Sequence, residues 1–439
     1  MFFPPLPRFR AYTTATDYLL MASGFITRKW ADGDDIELLE RDFARALDID
    51  HAIAVNQARV GIYLAVRALV TPARTKVIMS PYTIFDVVNM VVAGGGHPVF
   101  ADIERETCNI DASQVESLID DQTAAVMVTH LHGLMCDIEK ICGIAHARGV
   151  SVIEDTAQAL GARRGERRAG TFGDIGVFSF GLAKNVNAFY GGMVVTRSNE
   201  INQRIRVEQA TFRLIDRKHL AKRTLYGLAT DLSTWPLTFR SLTYWVFRLG
   251  YLKDIEFLNK RVRVEDNPVL RREMPAVYQQ RMSPVQARLI RRHLPEVDGD
   301  QQTRIETAAL YHRGLSDIPD IVLPPLRLDG SHAYLAFPIQ VPDRHALVRH
   351  LMTVGRDCTI QHLKNCADLE CFAPYARECP TARLTASTTL VLPTYPRYAR
   401  KEAEKMVVAI RSFFGAERCM DEGSTRGVRS LGNAPDLLT

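Results

Sequence analysis

Gly173-Asp174-Ile175-Gly176-Val177-Phe178-Ser179-Phe180-Gly181-Leu182-Ala183-Lys184-Asn185, followed by Gly191-Gly192-Met193-Val194-Val195-Thr196, decides how this chain is read. Two runs of β-type residues flank a loop that carries one lysine. Eleven of the 55 basic residues are lysines, so a lysine between two buried strands is an unusual placement. Burial lowers an amine's pKa and makes it a usable nucleophile. A lysine that forms an imine with a carbonyl compound needs that property. On this segment alone, a solvated loop lysine is an equal alternative.

Upstream stands Val152-Ile153-Glu154-Asp155-Thr156-Ala157-Gln158. A β-branched strand runs directly into an acid. A carboxylate at such a strand end can pair with the protonated ring nitrogen of pyridoxal phosphate and keep the ring an electron sink. Gln158, three residues on, reaches the ring hydroxyl if a helical turn begins there. The plain alternative is that Asp155 caps a following helix.

Further outward, residues 50–200 alternate short β-rich runs with helical stretches. Strands are expected at Ala52–Val55, Lys76–Ser80, Pro98–Asp102, Ala124–Thr129 and Ser151–Glu154. Helices are expected at Val60–Leu69, Phe85–Val92, Val115–Ile119 and Ile138–Ala147. Such alternation implies right-handed crossovers and an α/β fold with a mostly parallel sheet covered on both faces. Ligands of such sheets sit at the carboxyl ends of the strands. From residue 300 a smaller α+β region follows and ends in a helix over Lys401–Phe414. The expected division is an N-terminal arm (1–30), a large domain (31–205), a basic and aromatic insertion (206–275), a small C-terminal domain (276–415) and a disordered tail (416–439).

Composition narrows the classes. The 439 residues are 46% apolar and 24% charged, with a net charge of +5 and a mean hydropathy of -0.08. The charge balance argues against a nucleic-acid binder, and the apolar runs are too short to span a bilayer. Eight cysteines without a C-x-x-C pair suggest neither a disulfide framework nor a structural zinc site. No metal ligand set is expected. Met1–Arg10 lacks the pattern of a secretory signal, so the expected compartment is the reducing cytoplasm. His130 and His132 end a candidate strand and are read as packed or solvated side chains.

The chain resembles the DegT-type sugar aminotransferases, which are fold-type-I pyridoxal-phosphate enzymes. The resemblance covers residues 15–205 and 275–414. It rests on Glu154-Asp155-x-Ala157-Gln158 and on Phe178-Ser179-Phe180 with Lys184 five positions after the serine. Gly96–Asp102, His130–Gly133, Arg281–Ala287 and Leu392–Pro396 support it in the same order along the chain. The resemblance implies that Lys184 binds pyridoxal phosphate covalently and shuttles the proton, and that Asp155 keeps the ring nitrogen protonated. It implies that Gln158 contacts the ring hydroxyl and Ser179 the phosphate. Gln57 and Ala58, at the start of the next helix, would add backbone N–H groups to that dianion. It also implies a homodimer in which Gln279 and the Arg281 region approach the neighbouring subunit's cofactor. The expected reaction moves an amino group from a donor such as glutamate to a keto sugar, in particular a nucleotide-linked one. Rival readings are transamination of a non-sugar or lipid-linked ketone, sugar dehydration on the same fold, and a non-catalytic regulatory or membrane-docking protein.

Three positions depart from the family pattern. Asn56-Gln57-Ala58-Arg59 stands where Ser-Gly-Thr is common, and Arg59 either adds charge or is solvated. Ile84 stands where an aromatic often stacks on the ring. Gln279-Gln280-Arg281-Met282 replaces Asn-Tyr-Arg-Met. Residues 213–263 fall where the family has a shorter connection. They hold eleven basic residues against four acids, together with Trp235 and Trp245. Packing within the chain or between subunits is the first reading of this segment. Peripheral contact with an anionic membrane is the second, and a partner protein the third.

Overall fold

The computed structural model describes residues 4–11, 13–255 and 267–416. Its centre is a seven-stranded sheet. In chain order the strands are β1 (His51–Val55), β2 (Lys76–Met79), β3 (His97–Phe100), β4 (Thr123–Thr129), β5 (Ser151–Asp155), β6 (Ile175–Ser179) and β7 (Gly192–Thr196). Their spatial order is β1-β7-β6-β5-β4-β2-β3. Every neighbouring pair from β6 to β3 is parallel. β7 alone runs against its neighbours β6 and β1. All seven residues of β4 are buried, which is how a strand reads when helices cover both faces. The expected strands and helices of residues 50–200 thus lie within three residues of the observed ones.

Alternation along the strands divides the core. Val77 and Met79 join Ile153, Val177 and Val194 under helices Ala58–Leu69 and Phe85–Ala93. Ile78, Val126, Val128 and Val152 face the other way, under helices Ala112–Leu118 and Ile138–His146. Gly61 lets its helix lie flat: a Cβ there would stand 2.9 Å from Val177 Cγ1 and 3.0 Å from Val194 Cγ2. Helix Pro284–His293 supplies Val285, Leu289 and Ile290 to a third cluster with Phe178 and Phe180, and so packs with the large sheet.

The second body is a three-stranded antiparallel sheet, β8 (Phe337–Gln340), β9 (Thr359–Ile360) and β10 (Thr389–Leu392), with β10 in the middle. Its core includes Ile305, Tyr311, Leu347, Leu351, Met406 and Ile410 from helices Val297–Leu315, Arg344–Thr353 and Arg400–Phe413. Between the two bodies runs helix Arg217–Thr234, then the Trp235-Pro236 corner and a helical run to Leu252 with a wide π turn at Phe239–Thr243. Glu256, Lys260, Arg261 and Arg263 of the basic segment lie outside the described residues, as do 417–439 of the tail. None of the described helices is long and apolar enough to cross a membrane.

Candidate active site

β1, β4, β5 and β6 all end on one side of the sheet, and the residues that follow them converge there. β6 ends at Ser179. The chain then loops through Lys184 and returns as β7. The loop is clasped at its base, where Phe180 N–H donates to the Gly191 carbonyl (2.9 Å) and Ala188 N–H to that of Phe180 (2.9 Å). Phe189 at φ +64° and Gly191 at φ +140° turn the chain back. Asn185 anchors the outer arc by donating from Nδ2 to the Leu160 carbonyl at 2.7 Å. Gln286 holds the return through the carbonyls of Tyr190 (3.0 Å) and Ala188 (3.4 Å). The lysine is therefore carried on a braced loop.

Lys184 is half-buried and keeps part of its surface accessible. Burial holds its amine below the usual lysine range; Asp155 opposes that shift and Arg59 adds to it. Asp155 closes β5 and is 4% exposed. Burial raises its carboxyl above the usual range, against the Ala157 N–H, Lys184, His130 and Thr129. Its Oδ1 accepts from the Ala157 N–H at 3.1 Å, and Oδ2 lies 3.4 Å from the Thr129 hydroxyl. The segment after Asp155 forms turns at 157–161, so the expected helix is absent. The acid bonds two residues ahead, as Asp does in such turns.

Gln158 lies in these turns, and its Oε1 accepts the His132 N–H at 2.9 Å. His132 sits at φ +58°. Burial, with His362 nearby, holds its ring neutral down to about 3. His362 arrives from the second body. Its ring is open to solvent, yet surrounding protein and the lysine's charge hold it below the usual histidine value. His362 gave no local signal, since 178 residues separate it from Lys184 in the chain. His130 is buried as expected. Its Nδ1 accepts from Cys136 N–H (3.1 Å), which leaves Nε2–H to donate to Glu154 (3.0 Å). Glu154, facing away from the cleft, also accepts from the N–H groups of Gly170 (2.9 Å) and Gly173 (2.6 Å).

The opposite wall is the N-terminus of helix Ala58–Leu69, which no side chain caps. Both polar side-chain atoms of Asn56, Oε1 of Gln57, Oδ1 of Asn185 and Nε2 of His132 are buried without a hydrogen-bond partner among the described residues. Gly192 makes the close approach possible, because a Cβ there would meet Ala58 N at 2.7 Å and Phe178 O at 2.8 Å. Gly192, on β7, pairs with Ser179 of β6 and with Val55 of β1. Ser179 and the helix start thus flank one glycine. A Cβ on Gly181 would lie 3.8 Å from Ser179 Oγ and 3.9 Å from Lys184 Cγ, which brings the serine beside the lysine stem.

Other expected residues lie elsewhere. Arg59 pairs with Asp86, 3.1 Å from the Tyr278 hydroxyl, while its charge still reaches the Lys184 amine. Asp86 also binds Arg271 (3.1 Å) and accepts from Tyr278 (3.1 Å). Gln279 spends its amide on the Met274 carbonyl (3.2 Å), and its segment pairs with Arg213-Leu214. Within one chain no described contact brings it to Lys184, and Arg281 is exposed. Phe85 is packed in the core, which leaves the half-buried Ile84 beside Thr83.

A lysine amine and a buried acid near adjacent strand ends, with an uncapped helix N-terminus opposite, are chemically able to take an anionic carbonyl compound. The model of the DegT/DnrJ/EryC1/StrS aminotransferase family matches residues 20–229 and 254–411. The chain belongs to that family. It is an aminotransferase, and the matched ranges leave residues 230–253 outside the family pattern. The spore coat polysaccharide biosynthesis protein SpsC of Bacillus subtilis is 27% identical over 401 residues, covering 89% of this chain and 91% of that protein. PseC of Helicobacter pylori, an aminotransferase of pseudoaminic acid biosynthesis, superposes with a TM-score of 0.73 at 17% identity, over 94% of this chain and 99% of PseC. DesI, solved in the presence of its TDP-sugar product, gives 0.69 at 22% identity, over 94% and 93%.

Proposed function

We propose that this aminotransferase uses pyridoxal phosphate to move an amino group from an amino acid donor, glutamate, to a keto sugar carried on a nucleotide. The observation that carries the reading is the Lys184 amine beside the buried Asp155 carboxylate, opposite the unpartnered polar atoms at the start of helix Ala58–Leu69. The residues fit the cofactor. Ser179, Gln57 and Ala58 would hold its phosphate, the helix N-terminus favouring the dianion. Asp155 would pair with its ring nitrogen, and Gln158 would lie along the ring. Pyridoxal phosphate supplies the electron sink that makes the donor's Cα–H acidic.

The protein's own contributions follow from its geometry. Lys184, held below its usual pKa by burial, would be the group to accept the Cα proton at Nζ and return it to the neighbouring carbon. Asp155 would stabilise a positive charge on the ring only as a carboxylate, so a cation held beside it would have to offset the burial that raises its pKa. Glu154 fixes the strand end from beneath. His132, neutral throughout, donates its backbone N–H to keep Gln158 in place. The sugar acceptor is supported by what PseC and DesI are described as doing. A homodimer is part of the reading, with Gln279 and Arg281 presented to a second copy.

The test is the visible absorption of the purified protein with pyridoxal phosphate, before and after glutamate, beside Lys184→Ala. A visible band that glutamate shifts in wild type and that is missing in the variant is the expected result. A wild-type protein that stays colourless with added cofactor overturns the reading. Turnover of nucleotide-linked keto sugars, assayed against the free sugars, then tests the acceptor.

A further inference from the structure

The two helices outside the sheet invert the usual burial rule. Their inner faces are firmly seated. Gly227 lies against Phe189 of the lysine loop, where a Cβ would stand 2.4 Å from the ring. Asp231 accepts from the Tyr18 hydroxyl at 2.5 Å. In the second helical run, Tyr244 and Arg248 both donate to the Met352 carbonyl, at 2.8 and 2.9 Å. These contacts fix which faces look outward.

The outward faces are apolar. Leu225, Leu228 and Leu232 recur at helical spacing on the first helix, and all are exposed. Leu242, Trp245, Val246 and Leu249 do the same on the second. Trp235 (55% exposed) and Leu237 (74%) fill the corner between them. Soluble chains rarely leave so continuous an apolar surface open without a use for it. Most of it falls within residues 230–253, the stretch that the family model does not match.

Charge selects the occupant. Between Arg217 and Lys253 stand seven basic residues and one acid, Asp231. That acid is buried and occupied by Tyr18. The exposed rim of the patch is therefore predominantly basic, with Asp216 and Asp254 only at its two ends. A second copy placing the same face against it would bring like charges together. A lipid surface with anionic headgroups meets both requirements, apolar depth and negative charge. Tryptophans with arginine guanidiniums on their rings, Arg10 on Trp235 (5.1 Å) and Arg248 on Trp245 (5.7 Å), suit the boundary between the two.

We propose that helix Arg217–Thr234 and the helical run Pro236–Leu252 dock this protein on an anionic membrane surface, lying in the interface without crossing it. The proposal is independent of which sugar is aminated.

The experiment is co-sedimentation of the full chain with vesicles of phosphatidylcholine alone or mixed equally with phosphatidylglycerol. Wild type should pellet with the anionic vesicles at least tenfold more strongly than with neutral ones. Raising salt toward 1 M, where screening shortens to ~3 Å, should release most of it. Leu237→Ser/Leu242→Ser/Leu249→Ser should lower binding tenfold or more on anionic vesicles. Lys222→Glu/Arg240→Glu/Lys253→Glu should abolish the preference for anionic lipid, since each basic residue near such a surface is worth about fivefold in affinity. Circular dichroism matching wild type shows that the variants are folded. Wild type remaining in the supernatant with both vesicle types overturns the proposal, as does a leucine variant that binds like wild type. Sedimentation equilibrium in which the leucine substitutions split an oligomer, with no vesicle binding by wild type, would assign the face to self-association. Vesicle binding by a protein that stays colourless with cofactor would leave docking standing while the reaction reading fell.

Discussion

The lysine loop and the outer helices meet where Gly227 packs on Phe189, and they place polar and apolar residues in opposite ways. Around the loop, ionisable groups are taken out of water: Glu154 is 0% exposed, Asp155 is buried, and the Lys184 amine is held below its usual pKa. Each such group would be costly alone, and each has a partner: Glu154 accepts three donors and Asp155 faces a lysine. On the outer helices leucines stand in water, forgoing about 25 cal/mol for each Å² of apolar surface that burial would remove. Both regions mix charge with apolar residues in sequence. The difference lies in what each packs against. Both depart from the ordinary burial rule, and such departures are where function is expected.

The comparison can be broken first at the lysine. Lys184→Ala should lower kcat about 10³–10⁴-fold with the fold intact, read by single-turnover kinetics and circular dichroism. Asp155→Asn keeps the shape and removes the charge. It should cost about 10²–10³-fold in kcat, and normal turnover by this variant would dismiss the acid from its role. Glu154→Gln tests the groups beneath the site. It sets an amide against three donors and should destabilise folding by about 3 kcal/mol in denaturant titration.

Gly227→Ala probes the seam between the two regions. At an exposed helical site that change stabilises by about 1 kcal/mol. Against Phe189 it should instead destabilise by about 1–3 kcal/mol and disturb the lysine loop, lowering kcat more than it changes KM. On the outer face Leu237→Ser should move folding stability by no more than about 0.5 kcal/mol, since the residue gains nothing from burial in the free protein.

Much of this was legible in the sequence. The strands at 76–79 and 123–129 could be read because a sheet covered on both faces demands continuous apolar runs, and such runs stop where the site begins. Asp155 and Lys184 were legible as polar residues at those stops. Glu154 was not separable from its neighbour, because two consecutive acids end the strand and only the pleat decides that one faces the cleft and the other Gly170 and Gly173. The alternative of a helix capped by Asp155 gave way to turns at 157–161, although its carboxylate makes the bond to the Ala157 N–H that a cap would make. Arg59 turned to Asp86 and Tyr278 while its charge still acts on Lys184, and His362 came near Lys184 from the second body. Both result from tertiary contact, for which no local period exists. The resemblance suggested an insertion over 206–275, and the family model narrows the unmatched stretch to 230–253.

The clasp between Phe180 and Gly191 has a consequence for chain length. β7 runs back beside β6, so the loop that carries Lys184 is a closed stitch with a set number of residues. One residue added between Gly181 and Tyr190 would either bulge the stitch or slip β7 by one position and turn its side chains to the other face. The stretch Leu237–Thr243 has no such clasp and already contains one wide turn. Phe239 of that turn is buried in the second core, so an insertion should cost less there than in the loop, where the clasp sets the residue number.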